Sequence, residues 1–511
     1  SFENKLIGSH MFDGCVGITS LVISSTIEEI RDYAFANCTR LADIEFNNKL
    51  IGEYMFFNDT ALEAVIVPEN IQEIRIGAFE NCSNLANLTL PFVGKERANN
   101  NSEEALFGYI FGSKRETTDQ AKMQFFAKTD DPYYDDLIER ATSEDENYEF
   151  EAKIPASLKN VTITNETIVG YGAFSNASDI NTITFANNKD GNSTLVAIDN
   201  YAFYNCSGLE SITIPNSVQT IGYAAFMGCD NLKSIILPFV GQLRNNASTA
   251  DITRNATSVK TGERAFFGWI FGRKITSASL RSLSSSALSY NVPESLKTIQ
   301  ITDELVISDQ AFRDITTIDE VILNEGIITI GEEAFMNTGI KQITIPASVG
   351  LESEKAVLTE TRDSKQYGYI GARAFMNASS LNTVSFAPES HVYEIKDSVF
   401  ENAISLVMTS LPNSVKLIDS RSFYNTISIT EFTISNNVLA IGSYAFANDE
   451  DNRTKTKLQK FSFEDKCKIE TLSEGTFKNA TKLQMTTLPD SFIRVEKYAF
   501  ENCSSITEFT L

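Results

Sequence analysis

A solenoid of stacked coils, each contributing a short parallel strand, is the fold this sequence predicts, and three observations predict it. The first is a phenylalanine that recurs fifteen times inside one repeated phrase: Phe12, Phe35, Phe56, Phe79, Phe174, Phe203, Phe226, Phe312, Phe335, Phe375, Phe400, Phe423, Phe446, Phe477 and Phe500. Seven of the fourteen intervals between them are 23 residues. A fixed period of this size marks one supersecondary unit stacked on copies of itself. The second is the fixed chemistry around each Phe. An aliphatic residue stands five positions earlier in all fifteen copies, Ala immediately before in ten, Asn two after in twelve, and Cys, Ala or Thr three after in twelve. The third is an upstream phrase, Leu/Ile-x-x-Ile-x-Ile, often closed by Pro, as in Leu209, Ile212, Ile214 and Pro215.

Seventeen such upstream segments run from Ile18 to Ile506. The alternating tail of each reads as a short strand with one buried face. Parallel stacking at ~4.8 Å per coil gives an arc of roughly 80 Å. The Asn column reads as structural: an amide supplies donor and acceptor to inward backbone groups that water does not reach, and stacked amides bond up the ladder.

A unit running L-x-x-I-x-I-P…I-G-x-x-A-F-x-N-C resembles the BspA-like class of leucine-rich repeats, and residues 209–229, LESITIPNSVQTIGYAAFMGC, match it almost slot for slot. The resemblance implies a curved, right-handed, β-rich horseshoe with a parallel sheet and few or short helices. It also implies a secreted or surface-displayed protein associated with adhesion to host matrix proteins or other microbes. No catalytic or binding residues are carried over by the motif.

The repeat overrides the usual expectation of about three domains for this length. The chain reads as a single solenoid of about 17 coils over 1–511, with insertions at 91–155 and 238–293. Leu511 ends on a strand, and because solenoids need capped ends a fragment of a longer surface protein is expected. Net charge is -24, from 67 acidic and 43 basic residues. No stripe of Lys and Arg is present, so nucleic acid is not expected as a partner. No stretch reaches the ~20 apolar residues of a membrane helix. A monomer is expected. Six of the seven Cys occupy the slot three after Phe, which elsewhere holds Ala, so they read as small buried hydrophobes. Adjacent coils also place Cys15 near Cys38 and Cys206 near Cys229, where a bridge is geometrically open.

The insertions run from Leu85 to Leu158 and from Leu232 to Leu296. Both open with LPFVG, both reach an aromatic hexapeptide (Phe107–Gly112, FGYIFG, and Phe267–Gly272, FGWIFG), and both return through Pro. Phe79 and Phe226 are 147 residues apart, as are Pro91 and Pro238, so a block of coils was duplicated with its insertion. Two readings of the aromatics stand. Ala105-Leu106 and Ala265-Phe266 replace the usual anchor while Phe111 and Phe271 pack on the coil flank. Alternatively, Tyr109, Phe111, Trp269 and Phe271 form a contact platform for a partner, since Trp and Tyr dominate interface hot spots. Tyr133 and Tyr134, in the acidic run 130–151, are further candidates. Residues 449–457 form a third, plain loop.

Between the last two buried positions of each strand one residue faces outward. Eleven of seventeen are Ser or Thr, among them Thr162, Thr184, Thr213, Thr344 and Thr433. Thr suits an exposed sheet by propensity alone; a flat hydroxyl ladder also suits an extended protein or a glycan. The two His stand at opposite ends of the array, and no metal-ligand spacing, GxSxG, GxGxxG, P-loop or HExxH occurs. The sequence therefore predicts no enzyme, no cofactor and no metal. It predicts an extracellular or cell-surface scaffold that binds a protein or glycan of a host or microbial surface, or a structural stalk without a ligand.

Overall fold

Each coil turns a tight corner around its Phe, and the backbone shows how. The residue two before Phe has positive φ in all fifteen coils, from Tyr54 at 48° to Gly77 at 65°. The residue two after does so in fourteen of fifteen, Asn448 being the exception. Left-handed backbone costs an ordinary L-residue about 1–2 kcal/mol, whereas Gly and Asn adopt it readily. The Asn column therefore has a conformational cause that the sequence reading did not supply. Its ladder is also present: the Asn58 side-chain amide donates to Asn37 Oδ1 at 2.8 Å, Asn205 to Asn176 at 3.0 Å and Asn402 to Asn377 at 2.8 Å. The backbone needs little help from these amides. The N–H groups of residues Phe−2, Phe and Phe+2 reach carbonyls of the following coil, as Tyr33 to Glu53, Phe35 to Met55 and Asn37 to Phe57.

The computed structural model describes residues 5–100, 102–112, 123–125, 149–187, 193–244, 263–274, 290–353 and 358–510. Its chain divides into two compact units, Ser1–Pro238 with Gly268–Leu296, and Phe239–Phe267 with Lys297–Leu511.

In the first unit the strands Ala64–Ile66, Asn87–Leu90, Asn160–Ile163, Thr182–Phe185, Ser211–Thr213 and Ser234–Leu237 follow one another as a parallel sheet. The strands Ser20–Ile23 and Asp43–Phe46 pair in the same sense. In the second unit Thr298–Ile301, Glu320–Ile322, Gln342–Ile345 and Thr383–Phe386 do likewise, as do Glu431–Ile434 and Lys460–Phe463. A second, two-residue ladder carries the aliphatic five before Phe, for example Ile168–Val169 with Ala197–Ile198 and Thr220–Ile221. Sequence reading placed one strand in each coil; many coils have two. Among the described residues the only helices are short 3-10 turns.

The core of each unit is a column of rings. In the first, Phe12, Phe35, Phe56 and Phe79 stack at 5.1, 6.2 and 5.6 Å between centroids, and Phe174, Phe203 and Phe226 at 5.5 and 5.0 Å. In the second, the column continues without a break from Phe312 to Phe500. The Ala before Phe is buried in all ten coils that carry it.

All seven Cys are free thiols, so neither adjacent pair is bridged. Their preference over Ala has a local reason: the thiols of Cys38, Cys82, Cys206, Cys229 and Cys503 each donate to the Phe carbonyl of the coil before, at 3.0–3.3 Å. Burial pushes the Cys38 thiol up to about 11 and those of Cys206 and Cys503 up to about 12.

Two measurements check this packing. Phe335→Ala removes a fully buried ring from the middle of its column, and its urea midpoint is expected to fall by the equivalent of about 3–5 kcal/mol. Thiol titration of the native protein at pH 8 is expected to label half-buried Cys15 and Cys467 quickly and the five buried cysteines only after denaturation.

Candidate interaction surface

The first insertion is built inward. LPFVG buries Phe92 and Val93, and Gly94 (φ 76°) lets the chain pass so close that a Cβ there would stand 2.2 Å from the Glu104 carbonyl. Two residues on from the turn, Glu166 reaches back across 73 residues. Its carboxylate is 3% exposed and accepts the amides of Val93 at 3.0 Å, Ala98 at 2.9 Å and Thr167 at 2.7 Å. Burial pushes its pKa up, and those amides pull it back. The second insertion repeats the device. Glu304, 2% exposed, accepts Val240 at 3.4 Å and Leu305 at 3.0 Å, and Gly241 (φ 82°) packs on the Arg264 carbonyl. Neither glutamate stood out in the sequence, yet a signal was there: they occupy equivalent positions of the duplicated block.

The aromatic hexapeptides belong to the core. Phe107–Phe111 is a buried 3-10 turn whose Phe107 ring joins the ring column. Phe107 stacks on Phe174 at 4.8 Å and donates its amide to Ala173, while Tyr109 and Ile110 accept from Gly77 and Phe79 of the coil before. The Phe107 and Phe111 rings are 5.4 Å apart. Gln124 seals the turn, accepting the Gly108 amide at 2.6 Å and donating to Ser175 at 3.0 Å. In the second unit Phe267 stacks on Phe312 at 5.3 Å. In the first, Trp269 and Ile270 accept the amides of Ala224 and Phe226, and the Trp269 ring meets Tyr223 edge-on at 5.0 Å.

The packing of Phe111 and Phe271 agrees with the first reading, while the contact platform and the placing of the anchor at Leu106 and Phe266 are corrected. Tyr109 is 7% exposed, Trp269 5%, and Phe111 and Phe271 are fully buried. Rings enclosed by their own coils have no face left for a partner, and the anchor slot is filled by Phe107 and Phe267 rather than by Leu106 or Phe266. Tyr133 and Tyr134 lie outside the described residues. A further insertion escaped the sequence reading although the 40-residue interval from Phe335 to Phe375 marks it. It is an antiparallel hairpin, Glu360–Arg362 with Lys365–Tyr367, latched by the Arg362 guanidinium 4.1 and 4.3 Å from the Tyr367 and Tyr393 rings.

What remains open to solvent is the sheet face. Thr184, Thr213 and Thr344 are exposed, and Thr162 and Thr433 half-buried. Within the first unit Ile66, Thr89, Thr162 and Thr184 stand in register, as do Thr213 and Ile236. A second outward row lies two residues before it: Ala64, Asn87, Asn160, Thr182, Ser211 and Ser234. Asn160 donates to Asn87 Oδ1 at 2.9 Å along that row. None of these twelve positions is charged, in a chain with 67 acidic residues. Outside these six strands the matching rows are less uniform, with exposed Asp43 and Glu45 in the first unit and, in the second, Glu320 hydrogen-bonded to Gln342 at 2.5 Å. Thr433 Oγ1 and Ser462 Oγ are 2.9 Å apart.

Among the described residues, no group of three or more His, Cys, Asp or Glu is gathered as for a metal ion. Nor is any helix there long and apolar enough to cross a membrane.

With coil, column and sheet in view, the class is a leucine-rich-repeat solenoid. The model of the BspA type leucine rich repeat region matches residues 3–102, 146–248, 243–359, 353–460 and 453–511, and the chain belongs to that family. Among solved structures it is similar to a leucine rich cell surface protein of Faecalibacterium prausnitzii, at 18% identity and a TM-score of 0.27 over 69% of this chain and 78% of that one. It is also similar to a leucine-rich repeat protein of Bacteroides ovatus, at 16% identity and a TM-score of 0.30 over 96% and 87%. A leucine rich repeat protein of T. pallidum matches 41% of this chain and 77% of its own at 16% identity and a TM-score of 0.27. No curated protein matches the chain.

Replacing Glu166 by Ala strands the amides of Val93 and Ala98, at about 1–3 kcal/mol for each unpaired group. Limited proteolysis is expected to cut faster between residues 93 and 105 in that variant, while the 203–232 coils keep their resistance.

Proposed function

We propose that this chain is a non-enzymatic recognition scaffold, secreted or held at a cell surface, that binds a macromolecule of a host or microbial surface through the sheet face of its first unit. The observation that carries the reading is the run of twelve in-register outward positions, hydroxyl, amide or small apolar in character, with no charge among them. An acidic chain that keeps this stretch of six strands uncharged leaves it free of the counter-ions that charged side chains hold. Hydroxyls and amides there offer both donors and acceptors, which suits an uncharged hydrogen-bonding ligand, glycan or protein. Extended solenoid surfaces serve such contacts by area rather than by a deep pocket. The buried hexapeptides support the same reading by elimination, since they leave the insertions without exposed aromatic anchors at Tyr109 and Trp269.

The test is capture from matrix-protein and mucin extracts by three proteins: the intact chain, a Thr162→Glu/Thr184→Glu/Thr213→Glu variant, and a chain lacking residues 126–148. That deletion spares Phe107, Phe111 and Gln124 and so keeps the ring column closed. The expected outcome is a partner held by the intact and deleted chains and weakened at least tenfold by the three carboxylates. Loss from the deleted chain alone would move the site to the acidic run containing Tyr133 and Tyr134. Capture by none would favour a stalk.

A further inference from the structure

The slot three after Phe holds Cys, Ala or Thr in twelve coils, and in the coil of Phe56 it holds Asp59. That coil is also two residues short, 21 after Phe35 rather than 23. The Asp59 side chain is fully buried, in the column that carries Cys38 one coil before and Cys82 one coil after. One oxygen, Oδ1, accepts the Cys38 amide at 2.7 Å. In other coils the equivalent amide is held by its own Phe carbonyl, as Cys15 by Phe12 and Cys206 by Phe203. The other oxygen, Oδ2, is buried with no hydrogen-bond partner.

Asp449 shows that this exposure to strain is a property of the site and not of the residue. It fills the same slot of its coil, but is half-buried, with Oδ1 accepting the Asn452 amide at 2.7 Å and Oδ2 the Asn425 side chain at 2.7 Å. The titratable groups facing Asp59 are the Cys38 and Cys82 thiols and, further off, Asp13. Thiols are neutral near pH 7 and Asp13 is an anion, so no neighbour compensates a charge on Asp59. A buried carboxylate with one bare oxygen is far costlier ionised than neutral.

We propose that Asp59 makes the coils from Phe35 to Phe79 a proton-controlled weak point, closed while its carboxyl is neutral and opening locally once it is ionised. The direction follows from the two states. In the open coil the carboxyl meets water and ionises near pH 4. In the closed coil burial, with a smaller contribution from Asp13, pushes it up to about 7. Between those values the open state releases its proton first, so closure weakens as pH rises through 4 to 7 and levels off above. The device is independent of any ligand on the sheet face.

Hydrogen exchange of the whole chain, corrected for the intrinsic pH dependence of the amides, tests it at pH 5 and pH 8.5. Residues 203–232 are the internal control, because their slots hold Cys206 and Cys229. Protection of residues 35–62 relative to that control is expected to fall at least tenfold at the higher pH. Asp59→Asn, and Asp59→Ala as in four other coils, are expected to abolish the difference. An unchanged ratio in the native chain overturns the proposal, and so does the same fall in whichever of the two variants folds.

Discussion

Everything in this molecule depends on a backbone corner that only repetition makes affordable. Each coil enters its Phe through a left-handed residue and, Asn448 excepted, leaves it through another, and in twelve coils the entry residue is not Gly. The strain is offset because the same corner drives the ring into a column of other rings, buried on both faces, and aims alternate amides at the next coil. An isolated coil would have the strain without the stack, which is why such repeats are stable only in arrays. The entry side chains share in the compensation. His10, Tyr33 and Tyr54 stack at 4.9 Å, and Glu333 accepts from Gln310 at 3.0 Å and from Arg373 at 2.9 Å.

The column also disciplines the insertions. A coil that has been opened to admit about 40 or 50 extra residues leaves two rings facing a gap, and a gap in a close-packed core is costly. The hexapeptide answers with Phe107 stacked on Phe174 and the Tyr109 and Ile110 carbonyls holding the coil of Phe79. The loop before it is tethered by a glutamate that belongs to the coil after it. An inserted segment is thus bound into the stack at both ends, whatever the rest of it does.

Those facts mark the boundary of what the sequence discloses. The strands, the phenylalanine column and the amide ladder were legible because each is written a dozen times or more, and repetition averages out local accident. The aromatic hexapeptides were legible as core or as interface, and the choice is made by the carbonyls of Tyr109 and Ile110, which hold the preceding coil. Glu166 was invisible because its partners lie 73 residues away and its own neighbours are ordinary. The second outward row was missed for a different reason. It carries Asn, Thr and Ser in no fixed order, so no single residue type announces it, and only the strand register joins Asn87 to Asn160 and Thr182.

The division between what repeats and what varies is itself an argument about where function lies. The inward slots are fixed by the column and the corner by the backbone, so neither is free to specify a partner. The outward positions of the sheet are the ones the fold leaves unconstrained, since a strand tolerates almost any side chain on its solvated face. In the second unit they drift as free positions should, with Glu320 and Gln342 among them. In the six strands from Ala64 to Leu237 of the first unit they hold to a narrow chemistry, which Asp43 and Glu45 break in the coil before. That restricted chemistry is what supports the proposed contact through this face.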